Sequence, residues 1–227
     1  MGSSPSRKRA VLAAKHVQGV RCLVARRGAL FPGTTEVVVG RLVEIGGGGC
    51  HAVRHEAEAC LADLVPVLDP PRFLAVLIPL LLPNNYSNSG TKSSVGEAET
   101  TTPDAVLIQC VVLGALQALM PRLSSPALLG ALGAGPLLSG LESALSGRDL
   151  EARRRAVLAV VEMYQVLEEA LLPFLSGFPT SRLKLITMYI EQRRARDEHA
   201  AAANEKNQAI FAGAGGAWRG SAGRPLS

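Results

Sequence analysis

The stretch "VRHEAEACLADL" (residues 53–64) has a counterpart in "ARRRAVLAVVEM" (residues 152–163). Each carries a small apolar residue, an Arg, two variable positions, an Ala, three variable positions, then Leu or Val and a further apolar residue. A third copy without the Arg, Ala105 to Ala118, falls between them. In all three the apolar positions recur at helical spacing, three or four residues apart, so each is expected to be a helix with one buried face. The outer copies are about 100 positions apart, close to two units of the ~40–47-residue period of two-helix repeats.

The helix-start signals agree with that parsing. Asp69-Pro70, Thr102-Pro103 and Ser125-Pro126 each set a capping side chain before a proline at the first helical position, where the missing N–H costs nothing. Reading outward from these junctions predicts helices at 35–45, 51–65, 70–82, 103–120, 126–145 and 149–173, and a last one from 181. Gly46 to Gly49 reads as a flexible turn, residues 83–102 as a polar low-complexity loop, and Pro136 as a break within the fifth segment. The composition is 48% hydrophobic but only 4% aromatic, which favours packed helices over sheets. The expected fold is all-α: a short superhelix of about three HEAT-like repeats with a closing C-terminal helix.

Four cysteines, Cys22, Cys50, Cys60 and Cys110, form no CxxC and no regular framework, as expected of reduced, mostly buried thiols. The run Phe73 to Leu82 has half the ~20 residues a spanning helix needs, and Val106 to Met120 carries Gln109 and Gln117, so no membrane span is expected. Before the first acidic residue, Glu36, stand Arg7, Lys8, Arg9, Lys15, Arg21, Arg26 and Arg27, enough to account for the net charge of +5. This acid-free segment admits three readings: a targeting peptide, a basic arm for an anionic surface, or a terminal helix.

Motifs for chemistry are weak. His51 and His55 are an i, i+4 pair beside Cys50 and Cys60, but these four cannot converge on one tetrahedral ion, and Glu56 is misplaced for an H-E-x-x-H site. No metal or other cofactor is expected. "EVVVGRLVEIGGGGCHAVRHE" mimics a strand, a glycine turn and a helix, yet the G-x-G-x-x-G spacing is not met. The chain has no G-x-S-x-G elbow, P-loop or EF-hand, and its histidines lack an evident acid and nucleophile, so the expectation is a non-enzyme.

What remains is surface. Arg153, Arg154 and Arg155 crowd the start of a helix, against its dipole, so Asp149, Glu151 or a partner is expected to compensate them. In "FPTSRLKLITMYIEQRRA" (residues 178–195), Leu183, Leu185, Ile186, Tyr189 and Ile190 fit a cap over the last helix pair. Arg182 and Lys184, with Arg54, Arg153, Arg154, Arg193 and Arg194, are the candidate partner-binding residues. The scarcity of aromatics argues against a nucleic-acid stacking platform.

Residues 34–194 resemble the C-terminal HEAT-repeat domain of the CLASP family, the CLIP-associating microtubule regulators related to TOG-domain proteins. Ser181, Leu183, Lys184, Leu185, Tyr189 and Ile190 stand in that family's closing-helix pattern. "HAVRHEAEACLADL" and "SGRDLEARRRAVLAVVEMYQVLEEALLPFLSG" are similar to its repeats. Together with the charge and composition of the flanks, the resemblance divides the chain into a basic arm or helix at 1–33, a repeat domain at 34–195 with a flexible loop at 83–102, longer than the family pattern, and a charged helix extension and disordered Gly-rich tail at 196–227. It also implies a cytoplasmic, cytoskeletal interaction module that binds adaptor proteins of the microtubule plus end, spindle, kinetochore or cortex. The alternative is direct, charge-driven binding to microtubules or nucleic acid through the arm. Tubulin-binding TOG domains carry an exposed aromatic, usually Trp, in their first inter-helix turn. Here that turn is glycine and the only Trp, Trp218, lies in the tail, so the resemblance implies adaptors rather than tubulin as specific partners.

Overall fold

A computed structural model describes residues 15, 18, 19, 34–48, 50–82 and 103–215, with side chains in the last stretch described over 105–205. The basic arm apart from those three positions, the 83–102 loop with Thr102, and the Gly-rich tail beyond Gly215 therefore fall outside the described residues, while Gly213 to Gly215, expected to be disordered, end the last helix. Among the described residues the elements are helical: α1 (Thr35–Gly48), α2 (His51–Leu64), α3 (Pro70–Leu81), α4 (Pro103–Leu119), α5 (Ser125–Gly133), α6 (Pro136–Ser146), α7 (Leu150–Leu167), α8 (Leu172–Leu175) and α9 (Thr180–Gly215). Short 3₁₀ turns follow α4 at Met120–Arg122 and α7 at Glu168–Leu171.

The helices stack as the repeat pattern predicts. One layer is α1, α3 and α6, each touching the next; the other is α2, α4 and α7, with α4 in the middle. The equivalent positions are buried alike: Val53, Ala57 and Leu61 in α2, Ala152, Ala156 and Val160 in α7. The fold is thus an α-helical solenoid of stacked helix pairs.

Because α4 is covered from several sides, Cys110, Val111, Val112, Leu113, Leu116 and Leu119 are all buried, as a helix without a clear polar face should be. With the turn after it, Ala105–Arg122 is long and apolar enough to cross a membrane by length and composition, but 61% of it is buried inside the fold. Its apolarity is explained by its central place in the array.

Local chemistry sets most of the boundaries. Asp69 caps α3, its side chain accepting from the Arg72 N–H at 3.3 Å, and Asp149 caps α7 through the Ala152 N–H at 2.8 Å. Gly135, at φ 91°, ends α5, Pro136 starts α6, and the two helices meet at 75°. The positive φ there suits glycine because it has no Cβ to clash.

Three boundaries differ from the expectation. The cap of α5 is Ser124, not Ser125; Ser125 is already helical, and its hydroxyl donates to the Val166 carbonyl at 3.1 Å. The segment expected to run to 173 breaks at Glu168, which takes φ 49° and hands over to a 3₁₀ turn. Gly46 to Gly48 are not a flexible turn but the last residues of α1, with Gly46 and Gly47 buried. A Cβ on Gly47 would lie 2.1 Å from Ile108 Cγ1, and one on Gly46 3.0 Å from Val111 Cγ2. These glycines let α1 lie directly on α4.

Gly47 and Gly40 should therefore respond oppositely to alanine. Gly40 has nothing within 4 Å of its missing Cβ, so Gly40→Ala is expected to stabilise by about 0.5–1 kcal/mol through helix propensity. At Gly47 the same gain is outweighed by an overpacking cost of about 1–3 kcal/mol, and Gly47→Ala should lower the urea midpoint. Equal shifts in the two variants would refute the close-approach account.

By compactness the chain divides into Met1–Ile186, which holds the array, and Thr187–Ser227, which holds the rest of α9.

Candidate protein-interaction site

The three-arginine cluster resolves into three different environments. The first turns of α7 expose Arg153 and Arg154, whereas Arg155 is turned toward the neighbouring helices. The reason is register: Ala152, Ala156 and Ala159 form the buried stripe of α7, and Arg155 is flanked by it at i−3 and i+4. Arg153 Nε reaches back to the Asp149 carbonyl at 3.4 Å.

Arg155 is the hub of this face. Its Nη1 donates to Glu58 Oε1 of α2 at 2.7 Å and to the Cys110 carbonyl of α4 at 2.9 Å, and its Nε to Glu151 Oε1 at 2.8 Å. Burial disfavours the cation, but the hydrogen bonds to Glu58 and Glu151 more than compensate, so its pKa is raised further. The guanidinium passes over α4 at Gly114, where a Cβ would come within 2.9 Å of Nη1. Two carboxylates and one carbonyl thus fix one cation in place.

Beside this hub runs a groove of about 440 Å³ whose floor includes Gly114 and Gln117 of α4 and whose banks belong to α2 and α7. Arg154 stands on the α7 bank. Arg54, on α2, is half-buried, and its Nε is buried without an acceptor among the described residues.

The other candidates lie elsewhere. Arg182 is half-buried and donates to Ser146 Oγ at 2.7 Å, tying the start of α9 to the end of α6. Lys184 is exposed. Arg193 pairs with Asp197 at 3.2 Å, and Arg194 is exposed; both belong to the second compact unit. Of the capping set, Ile186 and Ile190 are buried, Leu183 and Tyr189 half-buried, and Leu185 is 40% exposed. The structure therefore sets Arg154 on the groove, keeps Arg54 outside its lining on α2, and leaves Arg182 and Lys184 on a separate helix. Sequence reasoning missed Arg155, Glu58 and Gly114 as parts of one arrangement. The i, i+4 spacing of Glu151 and Arg155 was the one available signal.

The His/Cys cluster spreads apart. Cys60 is buried in the core, while Cys50, His51 and His55 are exposed. Among the described residues no group of three or more His, Cys, Asp or Glu is placed to hold a metal ion. The buried Cys110 thiol is pushed up to about 11 by desolvation, against a partial offset from Arg155.

Two outcomes follow for the thiols. At pH 8, iodoacetamide should modify Cys50 well before Cys60 and Cys110, as peptide mass spectrometry will read; early modification of Cys110 would contradict its burial. The raised folded-state pKa of Cys110 means that its contribution is full below pH 9, the ordinary value. It is lost as pH climbs toward 11, because the unfolded chain releases that proton first, and urea melts should register up to about 2 kcal/mol of lost stability over that window.

No family model matches the chain. The chain is similar to "CLIP-associated protein" of Arabidopsis thaliana, with 27% identity over 156 residues. That match covers 69% of this chain and 9% of the plant protein's length. The likeness supports a relationship to the CLIP-associated proteins at the level of family.

Proposed function

We propose that this chain is a non-catalytic interaction module of a CLASP-like, microtubule-associated protein, acting in the cytoplasm on the cytoskeleton. Its partners are adaptor proteins of the microtubule plus end, kinetochore or cortex. The observation that carries the reading is the 156-residue likeness to a protein named for its association with CLIP. Two features support it. The helical array presents a grooved face with arginines at its rim, and helical-repeat folds use extended faces to bind proteins. The matched stretch is 9% of the plant protein, so microtubule and adaptor binding are proposed here for the module and not carried over from the whole relative.

The test is a pull-down of a purified CLIP-type adaptor by the full chain at near-physiological salt, paired with microtubule co-sedimentation of the full chain and of a variant lacking residues 1–30. Retention of the adaptor by both forms supports the reading. Failure to retain CLIP-type and kinetochore adaptors removes it. Co-sedimentation that disappears with residues 1–30 assigns polymer binding to the basic segment instead.

A further inference from the structure

We propose that the groove between α2 and α7 is the seat of an acidic segment of a partner protein, with one carboxylate side chain held by Arg154 and an adjacent apolar side chain lowered onto α4. The proposal deepens the adaptor-binding reading and rests on it.

Shape comes first. Where α2, α4 and α7 lie side by side, the middle helix presents Gly114, so the surface sinks between its neighbours. Ala59 and Ala62 keep the α2 bank low, and Leu158 supplies an apolar wall on α7. The volume of about 440 Å³ lies within the ~300–1,000 Å³ of ordinary ligand sites. It suits a few side chains of an extended segment.

Charge then selects the occupant. The lining carboxylates, Glu58 and Glu151, are both engaged by Arg155. Arg154 lines the same groove, is exposed, and has no ion-pair partner among the described residues. A single carboxylate supplies the counter-charge that Arg154 lacks. A phosphate polymer does not fit as well: the lining pairs two arginines with two carboxylates, leaving no run of free cations for successive phosphates.

The experiment is an NMR titration of the isotope-labelled full chain with the peptide acetyl-Glu-Glu-Leu-Glu-Glu-Leu-amide, with a Lys-for-Glu version and with inorganic phosphate. The acidic peptide is expected to shift the amides of His55, Gly114 and Leu158 saturably, with a dissociation constant of about 10⁻⁴ M. Arg154→Glu should weaken it at least about tenfold by reversing the charge at the anchor, and Ala62→Phe should do so by filling the groove. Arg153→Glu, one residue along but outside the groove, should change it less than about twofold, as a distant screened charge would. Melting curves establish that each variant is folded.

Equal weakening by Arg153→Glu, equal affinity for the lysine peptide, saturation by phosphate at the same amides, or no saturable shift would each overturn the groove. Applying Ala62→Phe to the adaptor pull-down separates the two readings. Capture by wild type and variant alike leaves the module and removes the groove. Groove-specific peptide binding without adaptor capture keeps the groove and removes the module's proposed partner.

Discussion

Ile186→Asp is expected to lower the melting temperature by about 8–16 °C, whereas Leu185→Asp, one residue away, should shift it by less than about 2 °C. The contrast rests on exposure: Ile186 is 2% exposed and Leu185 40%. Burying a carboxylate without a partner, and losing the apolar contact as well, costs about 4 kcal/mol or more. A chain of this length loses about 2–4 °C per kcal/mol. At Leu185 the new charge remains in water. Differential scanning calorimetry checks both variants, and a mild Ile186→Asp would mean that the start of α9 is not part of the core.

Arg155→Met should cost about 2–3 kcal/mol in urea unfolding, somewhat below the 3–5 kcal/mol for removing one partner of a fully buried pair. The discount reflects side-chain exposures of 19% for Arg155 and 24% for Glu58. The methionine keeps most of the apolar stem, so the loss reports the missing cation: Glu58 and the Cys110 carbonyl are left half-buried without it. Adding Glu58→Met to the variant should recover part of the stability, because the stranded carboxylate goes too. If the double variant is no better than the single one, Glu58 is adequately solvated without Arg155.

The helix pattern was legible because its signals are local. Asp69 and Pro70 specify the start of α3 whatever lies around them, and Gly135 with Pro136 breaks the fifth segment through backbone geometry alone. The repeat itself was legible because buried positions recur at equal offsets, Ala57 matching Ala156 and Leu61 matching Val160. The role of Gly46 and Gly47 was not, since the reason for those glycines is Ile108 and Val111 on another helix. Nor could the sequence rank the three consecutive arginines. Arg153 and Arg154 read as the partner-facing ones and both are exposed, but only packing shows that Arg155 is tied to α2 and α4 and that Arg154 faces a groove. The pattern reports which face of a helix is buried; what it is buried against is a property of pairs distant in sequence.

In a stack of repeats each unit ordinarily touches only its neighbours, so unfolding can begin at an end and proceed unit by unit. The Glu58–Arg155 pair departs from this, since α2 belongs to the first helix pair and α7 to the third, and the bond crosses the second. The terminal pairs are thereby coupled directly. Fraying of the first helix pair strips α7 of an anion, and loss of the third strips α2 of its cation. The array should consequently melt in one cooperative transition where an untied stack of equal length would lose its ends first, and a partner that grips either end will be felt at the other.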